Sequence, residues 1–184
     1  NLLRNLKAEG RLIVGYAGGH AKSNALDKII LAAQACPEVE FVLVGDGSEK
    51  LHLISKSKLV NNMHFLPPIH KDAVQSFLSQ CDVLTLVWLD SSLYRFGVSA
   101  NKLFDYMLAG KPVVQQLNSM HEPILQANAG YTAATFDEYV YCLKQIINMT
   151  DDERRLMGEK GSRYVHEHHC YSKLAEEFLE VCKK

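Results

Sequence analysis

The sequence predicts an α/β fold, a doubly wound parallel sheet of about six strands with helices on both faces. Short runs of Val, Ile and Leu alternate with amphipathic segments along the first 149 residues. Runs that are apolar throughout are typical of strands buried on both faces. Their regular alternation with helical segments indicates parallel strands joined by crossover helices.

Each predicted element has its own signal in the sequence. Strands are predicted where an aliphatic run is bounded by Gly, Pro, Asn or Asp, and helices where apolar residues recur every three or four positions. The predicted strands span residues 11–18, 40–47, 62–68, 82–89, 112–117 and 130–135. The predicted helices span residues 25–36, 48–60, 71–81, a segment that ends at Gly110, 122–128 and 137–149.

Beyond Met149 the sequence predicts only helix. Thr150 followed by three acidic residues is a typical helix N-cap and first turn. A second amphipathic helix follows from Tyr171 to the end of the sequence. The sequence therefore predicts a helical C-terminal segment.

Composition narrows the class of protein. With 184 residues, 47% of them apolar and 22% charged, the chain has the composition of one globular domain. The net charge of −1 lacks the basic excess that nucleic acids or anionic membranes attract. No apolar run approaches the roughly 20 residues of a membrane-spanning helix.

The cysteines indicate reduced thiols rather than a disulfide or zinc framework. They number five, an odd count, and no two are spaced as C-x-x-C. Buried structural thiols in a cytosolic protein are the expected state. The five are Cys36, Cys81, Cys142, Cys170 and Cys182.

The candidate ligand site lies in the loops that follow the strands, because doubly wound sheets bind ligands at the carboxyl ends of their strands. Four such loops carry Gly, Asp, His or Lys, and paired glycines at 18–19 and at 45 and 47 allow close approach to backbone. We expect a nucleotide-shaped site at this edge. The loops are 17–24, 45–50, 67–70 and 90–101.

The loop after the first strand has two interpretations. Its glycines do not have the spacing of a dinucleotide fingerprint or a Walker A loop. It is either a plain glycine turn or a phosphate loop in which His20 and Lys22 supply donors and positive charge.

The helix that begins near Asn101 has an unusual first turn. Lys102 lies where the helix dipole disfavours a cation. An anion held by the first-turn N–H groups would account for it, and Asp105, one turn later, would accept hydrogen bonds from sugar hydroxyls. The alternative is an ordinary helix capped by Ser99 or Asn101, with Lys102 and Asp105 forming a surface pair.

The histidine-rich segment 166–169 is a weaker candidate. His166 and His169 share a helical face, but no cysteine or carboxylate pattern accompanies them. We interpret the segment as a polar, solvated last turn and predict no metal site.

The segment GVSANKLFDYMLAGKPVV, residues 97–114, resembles the donor-site motif of the family four (group 1) retaining glycosyltransferases, which have the GT-B fold. Residues 41–53, 63–86 and the closing helices are similar to the same family in the same order, and most similar to its bacterial capsule and O-antigen branch. The resemblance covers residues 11–184. It implies one Rossmann-like half of a GT-B fold: residues 1–184 as the C-terminal, nucleotide-sugar-binding domain, with the N-terminal acceptor domain outside this sequence.

The resemblance also assigns roles at the donor site. The family motif usually has two glutamates separated by seven residues; Asp105 matches the second, which holds ribose, and Gly97 matches the first. Ser99, Asn101 and Lys102 match a G-x-S-x-N-K version of the motif. The implied diphosphate ligands are Gly19, His20, Lys22, Arg95 and Lys102. The implied contacts to the sugar are Gly97, Val98, Ser99 and Asn101, largely through backbone amides, and the implied contacts to the base are Pro67, Pro68, Ile69 and His70.

The implied reaction is the transfer of a sugar, with retention, from a nucleotide diphosphate sugar to a saccharide or lipid-linked acceptor in cell-surface polysaccharide synthesis. The resemblance implies a UDP-sugar rather than a GDP-sugar as substrate, no cofactor or metal, and no nucleic-acid partner. It places the protein in the cytoplasm, with the full-length enzyme at the inner face of the membrane. No single catalytic residue is assigned, and this domain alone is expected to be inactive.

Two other functions fit the same residues. One is half of a nucleotide-sugar epimerase of the same two-domain architecture, which usually carries catalytic carboxylates and histidines in this half. The other is a non-catalytic module that binds a nucleotide or a protein, consistent with glycine at position 97.

Overall fold

The computed structural model describes residues 2–96, 101–119 and 122–183, with all their side chains except those of Arg95 and Glu177. Six strands in this part of the chain form one sheet in which every neighbouring pair is parallel. This confirms the predicted doubly wound sheet. The strands are β1 (Ile13–Ala17), β2 (Glu40–Val44), β3 (Met63–Leu66), β4 (Val83–Val87), β5 (Val113–Gln116) and β6 (Gly130–Ala133).

The spatial order of the strands is β3-β2-β1-β4-β5-β6. The chain builds outward from β1 in one direction and then returns to β4 on the other side of β1. The order therefore reverses between β1 and β4, which is the point where such sheets bind ligands.

Nine α-helices lie before, between and after the strands in the described part of the chain. They are α1 (Leu2–Ala8), α2 (Asp27–Ala35), α3 (Lys50–Lys56), α4 (Lys71–Gln80), α5 (Asn101–Leu108), α6 (Pro123–Gln126), α7 (Phe136–Ile147), α8 (Asp151–His168) and α9 (Tyr171–Cys182). Helix α1 was not predicted; it has seven residues and buries only Leu3 and Leu6. Two apolar positions are too few for a periodic signal.

Burial follows the predicted pattern. Every residue of β1, β2, β4 and β5 is buried, whereas β3, at the edge of the sheet, is only partly buried. The described strands are four or five residues long, shorter than predicted, because the flanking residues already turn into the loops that connect to the helices.

The C-terminal helix α8 packs against α5. Thr150 caps α8 as predicted, in a capping box with Glu153. Gly158 of α8 lies directly against α5's end: a Cβ at this position would come within 2.1 Å of the Gly110 carbonyl oxygen. Helix α8 therefore packs closely behind the helix that carries the candidate site.

The prediction of a solvated last turn is wrong for His169. Its ring stacks on Phe104 of α5 with ring centroids 4.1 Å apart, and it is only partly exposed. His166 is exposed. Among the described residues, no three His, Cys, Asp or Glu side chains are grouped as a metal-ligand set.

The five cysteines are free thiols. Burial raises the pKa of Cys36 to about 11 and that of Cys81 to about 12, so both are unreactive packing residues. Cys182 differs from the expectation of burial because it lies on the exposed last turn of α9. Within the described ranges, no helix is long and apolar enough to cross a membrane.

Candidate functional site

Helix α5 is anchored to the carboxyl end of β1 by Tyr106. The backbone N–H of Ala17 donates to the Tyr106 hydroxyl oxygen at 2.6 Å, and the hydroxyl donates to the Ala17 carbonyl at 3.0 Å. Tyr106 is buried on the same face as Leu103 and Met107. This contact was not predicted, because a tyrosine on an apolar helix face is typical of an ordinary core residue.

The loops after β1 and β2 are joined by backbone hydrogen bonds. The N–H of His20 donates to the Asp46 carbonyl at 2.8 Å, and the N–H of Glu49 donates to the His20 carbonyl at 2.9 Å. The loop that was predicted to contact phosphate is therefore held in place by the neighbouring loop.

Two glycines allow this close contact. A Cβ at Gly45 would lie 1.9 Å from the Gly18 carbonyl oxygen, and a Cβ at Gly47 would lie 2.5 Å from the His20 carbonyl oxygen. Both have φ values that side chains rarely adopt, +147° and +155°. The expectation that these glycines admit a ligand is corrected: protein backbone from the first loop occupies that space.

His20 lies beneath the first loop rather than on its open side. Its side chain is fully buried, between the rings of Tyr16 and Phe65, with centroids 6.2 and 5.9 Å away. Neither ring nitrogen has a hydrogen-bond partner among the described residues. Desolvation lowers the pKa of His20, which favours the neutral ring. The neutral ring keeps one N–H donor, but burial places it away from the exposed side of the loop, where the predicted phosphate contact would lie.

Lys102 reaches from the first turn of α5 to the loop after β1. Its ammonium donates to the Asn24 side-chain oxygen and lies 4.4 Å from the centroid of the Trp88 ring. Asn24 in turn donates to the Gly19 carbonyl at 2.8 Å. The alternative pairing of Lys102 with Asp105 is wrong in this structure. Lys102 is half-buried, and desolvation lowers its pKa to about 8.

Asp105 lies on the side of α5 that contacts α4. The Gln75 side chain of α4 donates to the Asp105 carbonyl at 2.9 Å. Desolvation raises the pKa of the exposed Asp105 carboxyl, and the nearby Lys71 ammonium opposes that shift. Helix α4 begins directly after the loop 67–70, whose residues are all exposed. The predicted ribose and base contacts therefore adjoin the same two helices.

The remaining predicted residues divide into two groups. The Cα of Gly19 faces open space, since an added Cβ would contact only the Asn24 amide nitrogen, at 3.8 Å. Lys22 and Asn101 are exposed. Gly97, Val98 and Ser99 lie outside the described residues, and so does the side chain of Arg95.

Two lysines that the sequence analysis did not single out hold the loops in place. Lys50 donates to the carbonyls of Gly45 and Leu66, at 2.6 and 2.9 Å. Lys28 donates to the Trp88 carbonyl at 2.8 Å. Both ammonium groups are used by strand-end carbonyls, whereas exposed Lys22 forms no ion pair with the described residues.

A family model described as "Glycosyl transferase-like" matches residues 23–180. No curated protein matches the chain.

Several solved structures share its fold. TarM of S. aureus is 18% identical with a TM-score of 0.76, over 92% of this chain and 35% of TarM. HepE of Anabaena is 19% identical with a TM-score of 0.75, over 99% of this chain and 51% of HepE. WaaG is 18% identical with a TM-score of 0.72, over 96% of this chain and 49% of WaaG.

The chain spans between about a third and a half of the length of these three structures. At such low identity the likeness establishes the fold, and the family match covers most of the sequence. Both agree with the resemblance found in residues 97–114. The chain thus belongs to the glycosyl transferase-like family, as a group 1 glycosyltransferase domain that forms a Rossmann-like half of a GT-B fold.

Proposed function

We propose that this chain is the donor-binding domain of a retaining glycosyltransferase that uses a UDP-sugar. The observation that carries the proposal is the position of Lys102. This cation lies in the first turn of a helix, at the point where the strand order reverses, and its ammonium contacts the loop after β1.

The electrostatics of this helix end favour an anion. A lysine in a first turn opposes the helix dipole, at a cost of a few tenths of a kcal/mol. A diphosphate at the same place would be stabilised by the ammonium and by the N–H groups of the first turn. The open side of Gly19 and exposed Lys22 complete a site for a doubly charged ligand.

The nucleoside would extend from the diphosphate towards α4. Asp105 is exposed beside α4, and its carboxylate can accept hydrogen bonds from both ribose hydroxyls. The exposed loop 67–70, immediately before α4, would contact the base. This arrangement assigns base, ribose and diphosphate to three adjacent features of the strand-end surface.

The main chemical task of this half is to stabilise the leaving diphosphate. Negative charge develops on the phosphate oxygen as the bond to the sugar breaks, and fixed donors aimed at that oxygen lower the barrier. Lys102 and the first-turn amides of α5 would perform this step without a metal. Position 97 is glycine, so this motif position provides no carboxylate near the sugar.

The comparisons support the choice of nucleotide and acceptor class. HepE was solved with UDP and with UDP-glucose, and TarM with UDP. WaaG is described as a glycosyltransferase involved in lipopolysaccharide biosynthesis. We therefore propose a saccharide or lipid-linked acceptor, a role in cell-surface polysaccharide synthesis, and a location in the cytoplasm at the inner face of the membrane.

Calorimetric titration of the chain with UDP, GDP and ADP tests the proposal. We expect all three diphosphates to bind at the shared phosphate site, with UDP tightest because the loop 67–70 selects the base. If none of the three diphosphates binds, the donor-site assignment is wrong. Tightest binding of GDP or ADP would retain the site and change the donor.

Replacing Asp105 with alanine should weaken UDP binding by about 1–3 kcal/mol, the cost of losing hydrogen bonds to a charged acceptor. The fold should be unaffected, because the side chain is exposed. Calorimetry with UDP measures the change. Asp152→Ala, an exposed carboxylate in the first turn of α8, is the matched control and should bind as the unaltered chain does. Equal affinity in both variants would exclude Asp105 from the ribose site.

Binding of UDP should weaken as the pH rises from 8 to 9. The Lys102 pKa of about 8 means that the free chain loses this charge near pH 8. A bound diphosphate favours the ammonium and raises the pKa, so between the two pKa values binding must take up a proton. The affinity should then fall by up to about tenfold per pH unit above pH 8 and be level below it.

Lys102→Met is the control for this pH dependence. The variant should bind UDP more weakly at pH 7, by about 1–3 kcal/mol, and show a flat profile from pH 7 to 9. Its affinity for uridine, which lacks phosphate, should be nearly unchanged. A profile that stays sloped in the variant would assign the titration to another group.

A further inference from the structure

Asn24 connects the loop after β1 to helix α5. Its side-chain oxygen accepts a hydrogen bond from the Lys102 ammonium, and its side-chain nitrogen donates to the Gly19 carbonyl at 2.8 Å. An ammonium only donates and a carbonyl only accepts, so this orientation of the Asn24 amide is the one that satisfies both partners. The amide is a short planar group, and it therefore fixes the Lys102 ammonium relative to the backbone of Gly19.

The direction of the Lys102 side chain depends on this contact, because its other close neighbours are aromatic rings. The ammonium lies 4.4 Å from the centroid of the Trp88 ring and 5.7 Å from that of the Tyr16 ring. Rings attract a cation without fixing the direction of its N–H groups. Among the described residues, the hydrogen-bond acceptor of this ammonium is the Asn24 oxygen, and no carboxylate forms an ion pair with it.

The same side chain holds the Gly19 carbonyl on the inner side of the loop. This carbonyl accepts a second hydrogen bond from the hydroxyl of the buried Tyr16, at 3.0 Å. A carbonyl oxygen turned to the open side of the loop would repel the oxygens of a phosphate. Asn24 and Tyr16 together keep that oxygen away from the space beside the Gly19 Cα, which is open.

We propose that Asn24 is the positioning residue of the donor site, where it holds the Lys102 ammonium and the Gly19 peptide so that both can contact one diphosphate. The inference rests on the proposed function in taking the ligand to be a nucleoside diphosphate. Asn24 acts through these two groups, because both ends of its amide are already used by the protein.

The contact also affects the charge of Lys102. Burial lowers the Lys102 pKa to about 8, and a hydrogen bond to the ammonium favours the charged form. Asn24→Ala removes the acceptor and should lower this pKa further. Asn24→Asp replaces the acceptor by a carboxylate and should raise it.

The other charged or titratable groups around Lys102 are accounted for. Burial raises the pKa of Tyr16, so its hydroxyl stays neutral when Lys102 titrates. Lys28 and Asp90, on the elements next to the Trp88 ring, pair with each other at 3.3 Å. A titration near pH 8 that disappears in Lys102→Met therefore belongs to Lys102.

The first measurement needs no ligand. Trp88 is the single tryptophan of the chain, so its indole N–H signal in a ¹H–¹⁵N spectrum reports the charge of the ammonium beside its ring. We expect a midpoint near pH 8 for the unaltered chain, a lower one for Asn24→Ala and a higher one for Asn24→Asp. Asn61→Ala, an exposed asparagine just before β3, is the matched control and should leave the midpoint unchanged.

The second measurement is calorimetric titration with UDP and with uridine at pH 7. Asn24→Ala should lower the affinity for UDP by roughly fivefold to tenfold and change the affinity for uridine little. In a chain that already carries Lys102→Met, the same change should cost only about twofold, because only the Gly19 contact is then lost. Urea denaturation of each variant shows that it is folded.

The outcomes separate this inference from the proposed function. If UDP binds, and Asn24→Ala moves neither the Trp88 midpoint nor the UDP affinity beyond what it does in the Lys102→Met chain, the positioning role is refuted and the proposed function stands. If the midpoints shift as expected but the unaltered chain binds no UDP, the Asn24–Lys102 contact stands, and its donor-site role falls with the proposed function. If Asn24→Ala does not fold, Asn24→Asp decides, since an unmoved midpoint in that variant refutes the inference.

Discussion

The isolated chain of 184 residues is expected to bind UDP and to transfer no sugar. In a GT-B enzyme the reacting sugar carbon lies between two domains, and this chain forms one of them. Holding two reactants in the correct geometry contributes on the order of 7–11 kcal/mol, and one domain cannot position both. The loss corresponds to roughly 10⁵–10⁸-fold in rate.

The measurement is the release of UDP and the formation of glycoside when the chain is incubated with UDP-hexoses and saccharide or lipid-linked acceptors. Calorimetric binding of UDP by the same sample shows that the donor site is folded. Sustained glycoside formation would show that these residues contain an acceptor site, and the assignment of the chain as a donor half would then be wrong.

Gly45→Ala is expected to have the largest effect on stability, more than about 4 kcal/mol, because two mechanisms combine. Backbone strain at φ +147° costs about 1–3 kcal/mol for a residue with a side chain. The added methyl would also lie 1.9 Å from the Gly18 carbonyl oxygen, so the loops after β1 and β2 must separate. The hydrogen bonds of His20 to Asp46 and Glu49 would be lost with that separation.

Urea denaturation of Gly45→Ala measures this loss, and the fraction that still folds should bind UDP poorly. Gly10→Ala is the matched control, because Gly10 also has a positive φ, +73°, but has no atom within 4 Å of an added Cβ. It should cost about 1 kcal/mol. A Gly45→Ala chain as stable as Gly10→Ala would mean that the two loops are not packed together.

The order and type of most elements can be predicted from sequence because burial restricts which residue types occur along each segment. A strand covered on both faces must be apolar at every position, and β1, β2, β4 and β5 are buried throughout. The Thr150 cap is equally local, since the hydroxyl and its acceptor partner lie within one helical turn. The family motif at residues 97–114 can be recognised for the same reason, because it is a short segment with fixed spacing.

The loops that form the candidate site depend on contacts between residues that are far apart in sequence, so local sequence patterns do not predict them. Lys102 and Asn24 are 78 residues apart in sequence, and Tyr106 and Ala17 are 89 residues apart. Each pair meets because β1 and β4 are neighbours in the sheet and α5 returns over the point where the strand order reverses. Spacing within residues 97–114 predicts which side chains share a face of α5 but not what that face contacts.

By itself, the sequence determined a parallel sheet of about six strands with closing helices, and the family through the motif at 97–114 and the similar segments around it. Only the tertiary structure decided that His20 is buried beneath its loop, that Gly45 and Gly47 admit backbone rather than ligand, and that Asn24 contacts Lys102. The physical reason is the range of the interactions. Periodicity and capping arise within a few residues, whereas the environment of a loop residue is set by neighbouring loops that the fold brings to the same edge of the sheet.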